Sequence, residues 1–411
     1  MKSSSRTLVL ELFLLAALAF LAYAPSLNIG LIADDYPNIS QARTWGAPAD
    51  LSTLLGDAQF RLRSTSYWAM YALWMTAGVT PVVYHAASLL LHVLNCWLLL
   101  AAGRAWPAMR AGAFYAAAFF AVHEGHQEAV MWFSAVNELL MFLFGAAALA
   151  CWLKRREAAS AALFALALLS KESALILLPL LVFAAPGRWK RLWPHAVLCA
   201  LAIASIAASR SYSFRFGDGS FSLSAPFWIT WPQSFARILW IWGWPALALI
   251  LFAAPRGPRR AAGIALAWIG IALLPYSFLA YSTRIPSRQT YLASAGLAWL
   301  FGLAAAQWRD AWPLRRGLLN AVLALALAHN TVYLWTRKAA QFRERAAPTD
   351  QLVALARRTR APIRVECFPL PPLVAEEAVR LAADRPPSTL QWTAAAGEGR
   401  SDAVRFCYHS R

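Results

Sequence analysis

Long apolar stretches separated by short polar segments make up the chain from about residue 7 to residue 335. About 20 predominantly apolar residues let an α-helix cross a bilayer, so this pattern predicts a polytopic all-α membrane protein. The first stretch follows Lys2 and Arg6 but is read as a retained span, because no convincing small-residue cleavage site comes after it. The predicted spans are about 11 in number, at roughly 7–24, 82–103, 111–122, 129–152, 158–169, 173–185, 194–209, 232–253, 261–281, 290–307 and 316–335.

Several of these spans are too short to cross a bilayer without help from their flanks. The short ones must recruit neighbouring residues, tilt, break or insert only in part, and they are 111–122, 158–169 and 173–185. The composition agrees with the membrane class: 60% of the 411 residues are hydrophobic and only 14% are charged. The 20 tryptophans suit the aromatic belts found at membrane interfaces.

The net charge of +18 does not indicate a nucleic-acid partner. Nucleic-acid binders gather basic residues on one water-facing surface, whereas here they occur as short clusters between apolar stretches. With the N-terminus inside, most of the basic residues in short segments lie on the cytoplasmic side, as the positive-inside rule requires. Eleven spans then place the first long loop 25–81, the short loops 123–128, 170–172, 210–231 and 282–289, and the C-terminal tail outside.

The chain divides by composition into a transmembrane domain, 1–337, and a polar, basic tail, 338–411. A strand at about 363–367, a helix at 374–383 and a second strand at 403–408 predict a small extracytoplasmic α/β module. Cys367 and Cys407 are the two cysteines of the tail. An outside location permits a disulfide between them, and two reduced core cysteines are the alternative.

Asp34 and Asp35 follow the first span directly, in the predicted outer loop. Adjacent carboxylates near a lipid boundary are costly to desolvate, so they point to chemistry at that boundary. A carboxylate there can take a proton from an acceptor hydroxyl or hold a divalent cation, and both interpretations stay open. The structural alternative is a solvated loop or a helix cap.

A second polar cluster lies in the predicted outer loop 123–128. It offers acceptor-binding or metal-binding candidates, although it lacks the His-Glu-x-x-His pattern of zinc proteases. The alternative is a polar cap on two helices. The candidate residues are His123, Glu124, His126 and Glu128.

Three basic residues lie in predicted outer loops, contrary to the positive-inside rule, so their position requires an explanation. Binding of the phosphate of a lipid-linked donor is one explanation, and pairing with nearby carboxylates is another. Glu172 lies beside the first of them as an ion-pair candidate. The phosphate-binding candidates are Lys171, Arg284 and Arg288.

Four segments resemble, in order, motifs of the tetratricopeptide-containing transmembrane O-mannosyltransferases and their bacterial relatives. These families share the C-type glycosyltransferase fold with protein O-mannosyltransferases and aminoarabinose transferases, and the resemblance covers about residues 7–335. The chain departs from the pattern at 61–64, where relatives have an Arg-Pro pair, and its tail has no tetratricopeptide repeats. The similar segments are 81–95, 122–130, 169–174 and 288–296, the last containing Tyr291.

The resemblance implies transfer of a sugar from a polyprenyl-phosphate carrier to an acceptor hydroxyl on the outer face of a bacterial inner membrane. It implies that Asp34 and Asp35 form the catalytic centre, and an inverting transfer then needs one of them as base or metal ligand. A transporter or flippase of lipid-linked or anionic solutes is the alternative, and an inactive scaffold is a third. The gathering of charged groups on one face favours the enzyme, because a transport path places ionisable residues near the midplane.

Overall fold

The computed structural model describes residues 2–46, 56–208, 221–253, 256–392 and 403–408, and these are mostly helical. The apolar stretches form helices because their backbone polar groups must be satisfied within each segment. The first ten helices are α1 Lys2–Tyr23, α2 Asp35–Trp45, α3 Ala58–Arg61, α4 Ser64–Ala77, α5 Pro81–Ala105, α6 Ala113–Val122, α7 Gln127–Met131, α8 Val136–Leu153, α9 Glu157–Leu168 and α10 Leu177–Ala184.

The second half of the chain continues the bundle and ends in a small sheet. Its helices are α11 Trp193–Ala207, α12 Phe227–Ile238, α13 Gly243–Ala253, α14 Arg256–Leu273, α15 Tyr291–Ala311, α16 Arg316–Tyr333, α17 Ala339–Arg358 and α18 Pro372–Ala382. Its strands are β1 Ile363–Cys367, β2 Leu390–Trp392 and β3 Val404–Cys407. Short 3₁₀ turns join many helices, at Ala24–Asn28, Arg110–Gly112, Glu124–His126, Phe133–Ala135, Glu172–Ile176, Pro186–Leu192, Leu274–Phe278, Ser287–Thr290, Pro313–Arg315 and Pro387–Thr389.

The polytopic helical membrane fold is as the sequence predicts, but eleven full spans are not confirmed. Within the described residues, five helical segments are long and apolar enough to cross a membrane. The count rises to six if α12 and α13, bent by 76° at their junction, are one broken span. The segments expected to be short are indeed short apolar helices, at Arg110–Val122, Glu157–Leu168 and Glu172–Ala184. The five long segments are Arg6–Asn28, Pro81–Ala105, Phe133–Leu153, Pro258–Phe278 and Pro313–Arg358.

The predicted span 129–152 is wrong at its start. Helix α7 ends at Met131, Trp132 is extended, and the long helix begins only after a 3₁₀ turn at Phe133–Ala135. The reason is a competing hydrogen bond: the Ser134 backbone N–H donates to the Asp35 carboxylate, 2.7 Å away. A backbone donor used in this way is lost to the helical ladder.

One unbroken helical segment carries the chain from the bundle into the tail. Helix α16 passes through a π-helical turn, Leu334–Lys338, directly into α17, so Pro313–Arg358 is a single segment of 46 residues. The predicted domain boundary at 337/338 falls within this turn. The tail is therefore connected to the bundle by continuous helix and not by a flexible linker.

Helix α15 forms the centre of the bundle, with every residue from Tyr291 to Ala306 buried. A helix that is covered on all sides needs small residues where its neighbours come closest. At Gly302 the backbone meets that of Gly112, and a Cβ built on Gly302 would lie 2.4 Å from the Gly112 carbonyl oxygen. These two glycines permit the close approach of the segment before α6 to α15.

The tail contains the strand and helix elements that the sequence predicts. Its three strands are parallel in the order β2-β1-β3, and Ile363 pairs with Leu390 on one side and Val404 on the other. Cys367 and Cys407 are register partners on neighbouring strands and form a disulfide, which is one of the two arrangements that the sequence left open.

The tail packs against the loop that follows α1. The Thr349 hydroxyl donates to the Leu31 carbonyl oxygen at 3.3 Å, and a Cβ on Gly30 would collide with Asp350. Arg380 of α18 donates to the Ser40 hydroxyl of α2. The tail and the loop bearing Asp34 and Asp35 are consequently on the same side of the bundle.

The substitution Gly302→Ala is expected to destabilise the bundle by about 1–3 kcal/mol, because its methyl group must displace backbone atoms. The matched control is Gly263→Ala in α14, where an added Cβ meets nothing within 4 Å. That control should be neutral or stabilising by up to about 1 kcal/mol through helix propensity. Thermal unfolding in detergent compares the two, and equal melting temperatures would contradict the close-approach argument.

Candidate active site

The acidic pair stands at a sharp bend between the first span and α2. The 3₁₀ turn Ala24–Asn28 ends α1, and Ala33 adopts a φ of +41°, which is rare for a residue with a side chain. Strained backbone of this kind is concentrated at functional sites. Pro37 lies in the first turn of α2, where a missing N–H costs nothing, so the helix begins directly at Asp35.

Asp35 is completely buried and accepts hydrogen bonds on both oxygens. The Ile32 N–H donates to Oδ2 at 2.7 Å, and the backbone N–H and hydroxyl of Ser134 donate to Oδ1 at 2.7 and 2.5 Å. Burial raises the pKa of Asp35 to about 7, although these hydrogen bonds oppose the shift. The side chain thus joins the loop to the break before α8.

Asp34 occupies the opposite situation, exposed at the start of α2. Partial desolvation raises its pKa above the usual aspartate value, and the nearby Arg288 guanidinium works against that rise. The acidic pair therefore contains one buried carboxyl group and one exposed carboxyl group whose pKa is influenced by Arg288.

A cavity of about 570 Å³ opens next to this loop, and we name it the outer cavity. Glu128 holds two arginines in it: Arg288 Nη1 lies 3.7 Å and Arg345 Nη1 3.6 Å from its carboxylate. The Arg288 guanidinium also lies 4.9 Å from the ring centre of Trp132. The remaining lining comes from the loop, α17 and the tail: Ile32, Ala33, Gln341, Glu344, Pro348, Pro369, Leu370 and Tyr408.

The predicted cluster 123–128 does not form one site. Glu128 faces the outer cavity, whereas His126 is buried and its Nε2 lies 2.6 Å from the Ser294 hydroxyl. His123 and Glu124 line a different cavity. In the part of the chain that the structure describes, no three His, Cys, Asp or Glu side chains are grouped so as to hold a metal ion. A metal role for this cluster has no geometric support there.

Two predicted basic residues lie away from the outer cavity's lining. Lys171 is buried and forms an ion pair with Glu138, with its ammonium 5.2 Å from the Tyr276 ring centre. Arg284 is exposed in the loop before α15. Of the three phosphate-binding candidates, Arg288 is the one among the cavity's lining residues.

Two other predicted residues are engaged in structural contacts. Glu172 accepts a two-pronged hydrogen bond from Arg63, at 2.9 and 3.2 Å. The Tyr291 hydroxyl lies 2.7 Å from His92 Nδ1, and Asn95 donates to it at 3.2 Å. These buried polar groups tie α5 to α15, as expected of polar side chains between packed membrane helices.

The sequence interpretation missed Trp132, Ser134 and Arg345. The first two were assigned to the interior of a span, where no local signal shows that Asp35 would end the helix. Arg345 was assigned to the tail, and only the continuous helix brings it to the cavity. Its partner Glu128 is 217 positions away in the chain, so no local signal could have joined the two residues.

The arrangement resembles known proteins most clearly in its fold. The structure superposes on ArnT from Cupriavidus metallidurans bound to undecaprenyl phosphate with a TM-score of 0.56 and 15% identity, covering 90% of this chain and 84% of that one. It also superposes on an Archaeoglobus fulgidus oligosaccharyltransferase tethered to an acceptor peptide, with a TM-score of 0.55 and 14% identity, over 92% and 63% of the two chains. Apo ArnT gives a TM-score of 0.54 at 15% identity, over 97% and 87%.

Sequence comparison adds a distant relative. Protein O-mannosyl-transferase Tmtc1 of Drosophila melanogaster is 30% identical over 136 residues, which are 28% of this chain and only 15% of that protein. No family model matches the chain. The resemblance stated from the sequence is confirmed at the level of fold: this is a polytopic membrane protein with the C-type glycosyltransferase fold.

The buried Asp35 gives a testable pH dependence of stability. The folded protein binds the Asp35 proton more tightly than the unfolded chain, whose aspartate pKa is 3.8. This contribution is fully present below about pH 4 and is lost as the pH rises to about 7, by on the order of 4 kcal/mol in total. Thermal unfolding between these pH values should therefore show a shallower decline for Asp35→Asn than for the parent. Parallel curves would contradict the raised pKa.

Proposed function

We propose that the protein transfers a sugar from a polyprenyl-phosphate carrier to an acceptor hydroxyl at the outer membrane face. One observation carries the proposal: the exposed Asp34 carboxylate follows Ala33, which lines the outer cavity, and it lies within the electrostatic reach of Arg288, which lines the same cavity, in a C-type glycosyltransferase fold. A base and a cation at one cavity are what a phosphate-leaving transfer requires. The ArnT and oligosaccharyltransferase neighbours support the general reaction class by fold.

Asp34 is the proposed base, because an acceptor hydroxyl can approach only an exposed carboxylate. Its proton transfer accompanies bond formation to the sugar, since a free alkoxide does not form near neutral pH. Attack opposite the carrier phosphate inverts the anomeric centre. Because the pKa of Asp34 is raised, the rate should rise with pH along an acid limb whose midpoint lies above the usual aspartate range.

Asp35 is a positioning residue in this proposal. Its bonds to Ile32 and Ser134 hold the strained turn at Ala33, and that turn places Asp34 directly after the cavity-lining residues Ile32 and Ala33. An asparagine has one carbonyl oxygen where the carboxylate has two acceptors, so at least one of these bonds would be lost.

The departing phosphate is assigned to Arg288 and Arg345. Two guanidinium groups share the single carboxylate of Glu128, which leaves one positive charge uncompensated within this trio. Guanidinium groups bind phosphate oxygens through paired hydrogen bonds. Contact with the Trp132 ring restrains Arg288 and so lowers the entropy cost of holding it in place.

The tail is assigned to acceptor recognition. Pro369, Leu370 and Tyr408 line the outer cavity across from the Asp34 loop. Tyr408 immediately follows Cys407, so the disulfide to Cys367 holds this wall in place. Both the cavity and the tail are taken to face the outside, as the charge distribution of the short loops predicts.

Asp34→Asn is expected to lower sugar transfer by on the order of 10²–10⁴, the usual cost of removing a general base. Carrier binding and thermal stability should stay near the parent values, because the side chain is exposed. Asp310→Asn, exposed beside Arg309, is the matched control. The assay uses purified protein with polyprenyl-phosphate mannose and follows product and its anomeric configuration. Parent-rate transfer by Asp34→Asn would remove Asp34 as the base.

The same assay separates the other function classes. Counterflow of the carrier without turnover would indicate a transporter, and neither activity would indicate a scaffold. A retained anomeric configuration would contradict direct inversion.

Arg288→Ala and Arg345→Ala are expected to weaken carrier-phosphate binding by about 1.5–3 kcal/mol each, because each removes a charged hydrogen bond. Arg343→Ala is the matched control, since Arg343 is exposed on the same helix as Arg345 but does not line the cavity. Binding of undecaprenyl phosphate in detergent is the measurement. Unchanged affinity in both cavity variants would return these arginines to a structural role around Glu128.

A further inference from the structure

A second cavity lies beside the outer cavity, where the ends of α6, α12 and α16 meet the turn before α15. Its volume is about 250 Å³, less than half that of the outer cavity. Its walls carry hydrogen-bonding and aromatic groups of several kinds, among them Glu124, Arg237, Trp242, Ser287, His329 and Tyr333.

Two pairs of consecutive residues separate the cavities. Gln127 and Ser287 line the small cavity, whereas their neighbours Glu128 and Arg288 line the outer one. The Arg288 N–H donates to the Glu128 carboxylate at 3.2 Å and joins the two segments into one partition. The small cavity is therefore a separate compartment that shares no lining residue with the outer cavity, and Arg288 does not line it.

Several buried polar atoms of this compartment lack protein partners. Within the described residues, no hydrogen bond is made by the buried side-chain atoms Gln127 Oε1, Trp242 Nε1, Ser287 Oγ and His329 Nδ1. Buried polar groups are normally satisfied, so a cluster of unsatisfied ones along one cavity indicates a polar ligand.

The backbone around the cavity is strained in the manner of a binding site. Helices α12 and α13 are bent by 76° at a break, and Ile241 in that break has a φ of +67°. A β-branched residue rarely adopts this conformation. Broken membrane helices recur where substrates bind, because their ends expose backbone groups.

We propose that this compartment binds a neutral, hydroxyl-bearing sugar ring. The unsatisfied groups include an amide oxygen that accepts, an indole N–H that donates and a serine hydroxyl that does both, which matches a set of hydroxyl groups. A phosphate would want donors alone and net positive charge, but Glu124 lines the cavity together with Arg237. The Trp242 indole offers an apolar face for the ring carbons.

The role of the bound sugar ring rests on the proposed function of the protein as a sugar transferase. Because the partition separates it from Arg288 and Arg345, to which the departing phosphate is assigned, the bound sugar is not the one being transferred. It is a neighbouring sugar of a glycan, brought either by the acceptor or by an oligosaccharide on the carrier. Both sources present the same hydroxyl chemistry, and the experiment distinguishes them.

The test is the binding of free methyl glycosides to the full-length protein in detergent, and saturation-transfer NMR detects that binding. Ser287→Ala and Gln127→Met should each weaken binding about tenfold or more. Neither should lower the melting temperature, because replacing an unsatisfied buried polar group by an apolar one of similar shape is close to neutral. Gln391→Met is the matched control, since Gln391 Oε1 is also unsatisfied but does not line the cavity.

Several outcomes would overturn the inference. Equal glycoside binding by parent and cavity variants, or binding of inorganic phosphate in place of glycosides, excludes a sugar compartment. The Asp34→Asn variant should bind glycosides as the parent does. Loss of sugar transfer with retained glycoside binding therefore tests the transferase proposal and the sugar-compartment proposal separately. If the parent protein transfers sugar but does not bind glycosides, the sugar-compartment proposal is rejected and the proposed transferase function is not. Competition of the glycosides with a glycan acceptor identifies the acceptor as the source, and competition with the glycan-bearing carrier identifies the carrier.

Discussion

The anchoring of the loop after α1 by the Asp35 carboxylate is the interaction on which the rest of the candidate site depends. Its three accepted hydrogen bonds draw Ile32 and Ser134 together, end the helix before α8 and expose Trp132 to the outer cavity. The Trp132 indole N–H adds a hydrogen bond to the Ile32 carbonyl oxygen at 3.2 Å, and Asn38 donates to the Ser134 hydroxyl at 3.0 Å, so these polar contacts surround the Asp35 carboxylate. A buried carboxyl group is tolerated because its hydrogen bonds offset part of the desolvation cost.

Asp34 and Asp35 are adjacent and identical in type, but their surroundings give their carboxyl groups different protonation properties. Asp35 lies within the protein, where its charged form is disfavoured, while Asp34 remains exposed to solvent and within the electrostatic reach of Arg288. The same logic separates acid and base roles between paired carboxylates in other enzymes. In the proposed mechanism it separates a structural role from a chemical one, with a single peptide bond between them.

The helical fold and the acidic pair were predictable because their signals are local. Apolar length gives each span, and Asp34 and Asp35 stand out by following one. The partners were not predictable, because Ser134 lies about 100 positions from Asp35 and Arg345 more than 200 from Glu128. The start of α8 was misplaced for the same reason, since apolar periodicity does not show that a distant carboxylate takes a backbone N–H.

The uninterrupted helical segment Pro313–Arg358 sets a fixed distance between the bundle and the tail. At 1.5 Å per residue its 46 residues measure about 69 Å, whereas the hydrocarbon core of a bilayer is about 30 Å thick. The segment is longer than one crossing requires, and its continuous helix fixes the height of Arg345 and of the disulfide-closed tail relative to α16. Inserting or deleting residues between 334 and 345 would change both that height and the direction in which Arg345 points, by about 100° per residue.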